Sequence, residues 1–263
     1  MHNLVIVKGG GDIATGIAHR LHQSKFSVVI TELPKPTVVR RTVAFAQAVT
    51  AGKAVVEGVT ARLVTLTEVY GTLAAGHIPV VVDGAAECVV ALKPQAVVDA
   101  IIAKRNTGTK RADAPVVIGV GPGFVAGGDV NAVIETMRGH ELGRVIYQGT
   151  AIANSGIPGE VGGYTLERLI KAPADGIFIA CHDIGDTVNG GEIVGHIGES
   201  PARVAIPGVL RGLIQTGLKV TKGLKIGDVD PRCRREHCYT ISDKARAIGG
   251  GVLEALLHME VEG

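Results

Sequence analysis

The feature that most constrains this chain is an internal repeat. Residues 176–197, GIFIACHDIGDTVNGGEIVGHI, realign with residues 208–229, GVLRGLIQTGLKVTKGLKIGDV, at an offset of 32 residues. Gly176, Gly185, Gly191 and Gly195 fall on Gly208, Gly217, Gly223 and Gly227, and Val188 falls on Val220. The apolar positions Ile177, Phe178, Val194 and Ile197 fall on Val209, Leu210, Ile226 and Val229. Glycines at fixed turn positions with matching apolar positions between them are what two copies of one β unit require.

This repeat resembles the two halves of a biotinyl/lipoyl-type barrel-sandwich domain, which sets the expectation of a small β domain over 172–231. Such domains carry a prosthetic group on a lysine between the halves. The joining segment here, GESPARVAIPG, has no lysine, so a scaffold or docking barrel is expected.

Upstream, strand and helix signals alternate. LVIV (4–7) and SVVITEL (27–33) read as strands, and Ile13, Ile17 and Leu21 between them lie at helical spacing. TVVRRTVAFAQAV, TLTEVYGTLAAG and KPQAVVDAIIAK read as helices, and IPVVV as a strand. The alternation predicts an α/β fold, a Rossmann-like parallel sheet domain over 1–105. RNTGTKRADAP (105–115) is the best linker. A second α/β unit is expected over 113–171. Its strand is PVVIGV, Asp129 is a helix N-cap, and Val130, Val133, Ile134 and Met137 form a helix face. Residues 232–263 read as a loop and a helix that packs on the α/β core. Gly249, Gly250 and Gly251 lie inside that helical pattern, so either the helix begins after them or they permit a close backbone approach.

Two glycine-rich loops carry the main functional signal. In KGGGDIATG, Gly9, Gly11 and Ala14 fit G-x-G-x-x-G/A after a strand and at the opening of a helix, with Gly10, Asp12 and Gly16 alongside. Helix N-terminal amides on a bare backbone suit a phosphate. Glu32 ends the second strand, where an acid meets a ribose hydroxyl in dinucleotide sites. Asp12 opposes a phosphate, and a tight strand-to-helix turn is the competing structural reading. In GVGPGFVAGGD, Gly121, Gly123 and Phe124 make the second candidate loop.

Near the C-terminus, Cys233, His237 and Cys238 stand among Arg232, Arg234 and Arg235. The cluster is open to three readings: an incomplete metal shell, a reactive thiolate centred on Cys238, or a basic surface loop. No metal site is assigned. Cys88 and Cys181 sit in apolar runs and are expected to be buried and inert. Arg40 and Arg41 are candidates for phosphate contact or a solvated face, and Asp83 for a site residue or a turn cap.

Composition narrows the function classes. A net charge of +2 and only four Phe, four Tyr and no Trp argue against nucleic acid and an anionic membrane. The cysteine pattern and the N-terminal residues set the expectation of a cytoplasmic protein with reduced thiols.

GGGDIATGIAHRL, TELPKPTVVRRTVAFAQAV, GVGPGFVAGGDVNAVIETMRGHELGRVI and KIGDVDPRCRREHCYTISDKARAIGGGVLEALL, taken in order, resemble YqeB-type accessory proteins of the selenium-dependent molybdenum hydroxylase system. The resemblance implies a maturation factor that binds a molybdopterin-type cofactor and serves a molybdenum hydroxylase client alongside other maturation proteins. The related XdhC-type chaperones contain a Rossmann-like domain, which fits residues 1–105. Two other functions stay open: an NAD(P)-dependent oxidoreductase using a dinucleotide, and a non-catalytic docking protein. Whether a reaction is catalysed, whether selenium is handled, and whether the chain forms a homo-oligomer are left open by the sequence.

Overall fold

The structure is a computed structural model that describes residues 3–261. The chain divides into two compact units: Met1–Pro36, Ala44–Asn154 and Ile241–Gly263 form the first, and Thr37–Val43 with Ser155–Thr240 form the second.

The first unit is built on a nine-stranded sheet of order β3-β4-β5-β2-β1-β6-β7-β8-β9. Its strands are β1 (Leu4–Lys8), β2 (Ser27–Glu32), β3 (Lys53–Val56), β4 (Val59–Leu63), β5 (Ile78–Val82), β6 (Ala96–Asp99), β7 (Val116–Val120), β8 (Ala132–Ile134) and β9 (Val145–Ile146). From β4 to β8 all neighbours are parallel, and only the outer pairs β3–β4 and β8–β9 are antiparallel. Strands β1, β2, β5, β6, β7 and β8 are Val- and Ile-rich with almost continuous burial because both sheet faces are covered there, whereas β3 and β4 at the edge alternate. One face carries Leu4, Ile6, Val29, Val97, Val117 and Val133, packed with Val69 of α3 (Val69–Ala74) and with Cys88 and Leu92 of α4 (Cys88–Leu92). The other is covered by α1 (Asp12–Gln23), which buries Ala14, Ile17, Ala18 and Leu21, and by α5 (Asp243–Val261).

Several expected elements are corrected. KPQAVVDAIIAK holds strand β6, not a helix, because four apolar residues fit either period and here the neighbours β1 and β7 supply the hydrogen-bond ladder. Likewise Val133 and Ile134 lie in β8, and the Asp129 carboxylate accepts from the Val125 N–H within a turn, not as a helix cap. Since β7, β8 and β9 extend the same sheet, 113–171 is not a separate α/β unit. TVVRRTVAFAQAV becomes two 3₁₀ turns followed by the short helix α2 (Ala48–Ala51). α5 runs through its three glycines. A Cβ on Gly249 would stand 3.0 Å from the Gly16 carbonyl oxygen of α1, and one on Gly251 would run into the Gly143 carbonyl oxygen, so these two glycines serve close approach, whereas Gly250 has room for a side chain.

The second unit contains two four-stranded antiparallel sheets, β10-β17-β15-β12 and β14-β13-β11-β16. Their strands are β10 (Leu169–Lys171), β11 (Gly176–Ala180), β12 (Thr187–Val188), β13 (Ile193–Ile197), β14 (Ser200–Arg203), β15 (Gly208–Leu213), β16 (Lys219–Val220) and β17 (Lys225–Asp230). The repeat is visible in the registers. Phe178↔Ile197 in β11–β13 becomes Leu210↔Val229 in β15–β17, and Gly176↔Val220 in β11–β16 becomes Val188↔Gly208 in β12–β15. It reaches further than the sequence alignment. Leu169↔Asp228 in β10–β17 matches His196↔Pro201 in β13–β14, and the two ladders share a bulge at the same place. Each sheet therefore mixes strands of both copies. The resulting core centres on Phe178, Val194, Leu210, Leu213 and Val229. The unit begins near residue 155, not 172, and extends to Thr240, while α5 returns to the first unit.

Candidate functional site

Because β1, β6, β7 and β8 run parallel, the segments that follow them emerge at one sheet edge. The order reverses beside β1: the chain builds outward through β2 and β5 on one side and through β6, β7 and β8 on the other. Such a reversal opens a crevice at the carboxyl ends of the strands, the usual ligand position of open α/β sheets. Both glycine loops lie on this edge, separated by β6, so roughly 10 Å of sheet lies between them at the usual strand spacing.

The glycines are used largely by the chain itself. A Cβ on Gly9 (φ +89°) would lie 3.2 Å from the Ile101 Cα, and one on Gly10 2.8 Å from the Ala46 nitrogen. A Cβ on Gly123 (φ +110°) would lie 2.5 Å from the Arg105 Cα, and one on Gly121 (φ +84°) 2.9 Å from the Thr136 hydroxyl. Segment 100–105, after β6, thus wedges between the two loops and holds Ile102 and Lys104 at φ +59° and +61°. A β-branched residue in the left-handed region is costly and persists only where its surroundings enforce it. Gly16 packs against Ala245 of α5, Ala14 is fully buried, and Phe124 lies over Gly119 in the core.

Main-chain donors are also engaged. Gly9 N–H donates to the Thr31 carbonyl and Gly121 N–H to that of Ile134. Glu32 accepts from Gly10 N–H at 2.8 Å and from Leu33 N–H at 2.7 Å. At the head of α1, by contrast, Gly11 is the N-cap and no side chain caps the helix. The first-turn amides therefore form a donor end at the strand-order reversal.

Lys244, in the first turn of α5, is the residue that sequence reasoning missed here. Burial lowers its pKa first, Arg138 lowers it further, and Asp12, Glu135 and Asp243 partly offset this. Among the described residues its ammonium has no hydrogen-bond or ion-pair partner. Two of the nearby acids are already bonded. Glu135 accepts from the N–H groups of Thr136, Met137 and Ile152, and Asp243 pairs with both terminal nitrogens of Arg138. The signal for Lys244 was available in principle, since a lysine in a first helical turn opposes the dipole.

Other candidates resolve into structural roles. Asp83 accepts from the N–H groups of Glu87 and Cys88. Arg40 is buried and donates to the His237 and Thr240 carbonyls, and Arg41 to that of Leu213. Cys238 is fully buried and burial pushes its thiol pKa up, despite Arg211, Arg40 and Arg235 nearby. This corrects the reactive-thiolate expectation: the basic residues are close, but the sulfur lies inside the core. The expectation for Cys181 is corrected in the opposite sense. It is exposed, and its Sγ lies 3.4 Å from His196 Nδ1. Among the described residues no group of three or more His, Cys, Asp or Glu side chains is placed to hold a metal ion.

The chain is 52% identical over 263 residues to the "Uncharacterized protein YqeB" of Escherichia coli strain K12. The likeness is to a YqeB-type protein. It covers 100% of this chain and 49% of that relative, so the chain spans about half its length. No protein-family profile matches the chain. Among solved structures, a succinylglutamate desuccinylase/aspartoacylase of Rhodobacter sphaeroides aligns over 24% of this chain and 21% of its own, at 25% identity and a TM-score of 0.22. An aspartoacylase family protein of Mesorhizobium loti aligns over 86% and 84%, at 13% identity and a TM-score of 0.26. Scores this low carry no argument about fold or activity. Among the described residues no helix is long and apolar enough to cross a membrane.

Proposed function

We propose that this chain is a cofactor-binding accessory protein of a molybdenum hydroxylase system. On this reading it holds the phosphate end of a molybdopterin-type or dinucleotide ligand at the head of α1. The observation that carries the reading is the uncapped N-terminus of α1 at the strand-order reversal, with the half-buried Lys244 acting electrostatically on Asp12 of that first turn. The parallel order β5-β2-β1-β6-β7-β8, with its reversal beside β1, supports it, as does the 52% identity of this chain to about half of YqeB. An oxidoreductase using Glu32 for a ribose is less favoured, because each Glu32 oxygen already accepts a main-chain N–H. The second unit, two interlocked sheets without a lysine between the repeats, suits a docking module for the client.

The test is titration calorimetry with inorganic pyrophosphate and NAD⁺, together with pterin fluorescence of protein purified from its native host. Gly11→Val and Lys244→Met should each weaken pyrophosphate binding by about tenfold or more, the scale of one lost hydrogen bond to a charged group. Unchanged affinity in both folded variants would remove this site. Retained NAD⁺ without pterin would select the dinucleotide reading.

A further inference from the structure

The apolar row on the α4 side of the sheet ends in a charged pair. Leu4, Ile6 and Lys8 share one face of β1, and Val97 and Asp99 share the same face of β6. Lys8 and Asp99 are direct partners in the parallel register. Their side chains are 8% and 2% exposed, with Nζ 3.5 Å from Asp99 Oδ2. The Thr109 hydroxyl bridges them, accepting from Lys8 Nζ at 2.6 Å and donating to Asp99 Oδ2 at 2.6 Å. Asn106 fixes Thr109 by accepting from its N–H and donating to its carbonyl. A buried ion pair of this kind contributes little to stability compared with apolar residues of the same size, so fold stability gives no reason for it.

Lys8 lines a cavity of about 810 Å³ between α4 and the 108–115 segment. This volume lies within the range of small-molecule sites. Val89, Pro94, Ala112 and Pro115 contribute short aliphatic walls, and Glu87, Lys93 and Asp113 also line the cavity, with opposite charges among them. An ammonium carries three donors. Among the described residues Lys8 meets only Thr109 and Asp99, which leaves a donor for the cavity.

We infer that this cavity is a second ligand site, for a compact neutral aliphatic molecule that places a carbonyl or amide oxygen on Lys8. Asp99 neutralises Lys8, so the floor offers a donor without net charge. A carboxylate ligand would bring a second anion close to Asp99, and a cation would meet the ammonium. The small aliphatic walls take the body of the ligand by apolar burial. Gly11 and Lys244 are not among the cavity walls, so this site stands or falls independently of the phosphate site.

The experiment is saturation-transfer NMR on the full chain with ε-caprolactam, hexanoate and hexylammonium as probes. Caprolactam should bind at least about tenfold more tightly than either ion. Lys8→Met should weaken it by about tenfold, the scale of a hydrogen bond to a charged group. Ala112→Trp, on an exposed wall residue, should block the cavity with the fold intact, while Gly11→Val should leave caprolactam binding unchanged. Caprolactam binding no tighter than the two ions, or binding that survives Ala112→Trp, would overturn the inference.

Discussion

At the scale of single residues, burial rather than neighbouring charge sets the character of the four cysteines. Cys238 has arginines around it, yet its sulfur meets the Leu210 carbonyl, at 3.8 Å, inside the core. Cys88 is held more strongly in the thiol form. Burial, then hydrogen bonding to Asp83, pushes its pKa up to about 12. A thiolate is the species that alkylates, so both residues are protected by desolvation and by access. Cys181 and Cys233 are exposed. Iodoacetamide near neutral pH, followed by peptide mass spectrometry, should label Cys181 and Cys233 first, with Cys88 and Cys238 modified only on unfolding. Early labelling of Cys238 would contradict its burial.

At the scale of elements, the contact between α1 and α5 depends on missing side chains. A Cβ on Gly16 would stand 2.7 Å from the Ala245 Cβ and 2.9 Å from the Ala245 carbonyl oxygen. Alanine would raise helix propensity by about 1 kcal/mol over glycine. Overpacking a close contact costs about 1–3 kcal/mol. Gly16→Ala should therefore lower the melting temperature in spite of the better propensity, and a rise would show that the helices can separate without cost. In sequence, Gly16 reads as part of a phosphate loop. The pattern of spacing was the same, because a glycine that admits a ligand and a glycine that admits a neighbouring helix look alike in sequence.

At the scale of the whole molecule, charge is concentrated in the second unit around two buried acids. Asp228 contacts Arg168, Arg211 and Lys225, and Asp230 contacts Arg211, Arg232 and His237. Burial raises the Asp230 pKa, but hydrogen bonds and charge from Arg232, with Arg211, bring it down from 3.8 to about 2. A folded pKa below the unfolded one stabilises the protein above the unfolded value, and that stabilisation is lost as pH falls through the folded value. The contribution is about 2 kcal/mol at neutral pH. Chemical denaturation should show this stability disappearing between about pH 4 and pH 2. Asp230→Asn should cost at least that amount at pH 7 and make little difference near pH 2. An equal cost at both pH values would mean that the carboxylate charge is not what stabilises the unit.

Local sequence determined what local physics controls. The β-branched runs at 4–7, 27–32 and 78–82 became strands, the helical spacing of Ile17 and Leu21 became α1, and the glycine register with a 32-residue offset fixed which strands of the second unit are equivalent. Tertiary structure decided the rest. Residues 96–99 are a strand because β1 and β7 flank them, and neither neighbour is visible from within that stretch. The repeat could not say that its copies exchange strands, since pairing within a copy and pairing between copies satisfy the same glycine spacing. Lys8 meets Thr109 across 101 residues of chain, with Asp99 beside both, and Lys244 acts on Asp12 at the head of α1 from the far end of the sequence. Such sites are assembled by the sheet order, and spacing along the chain carries no trace of them.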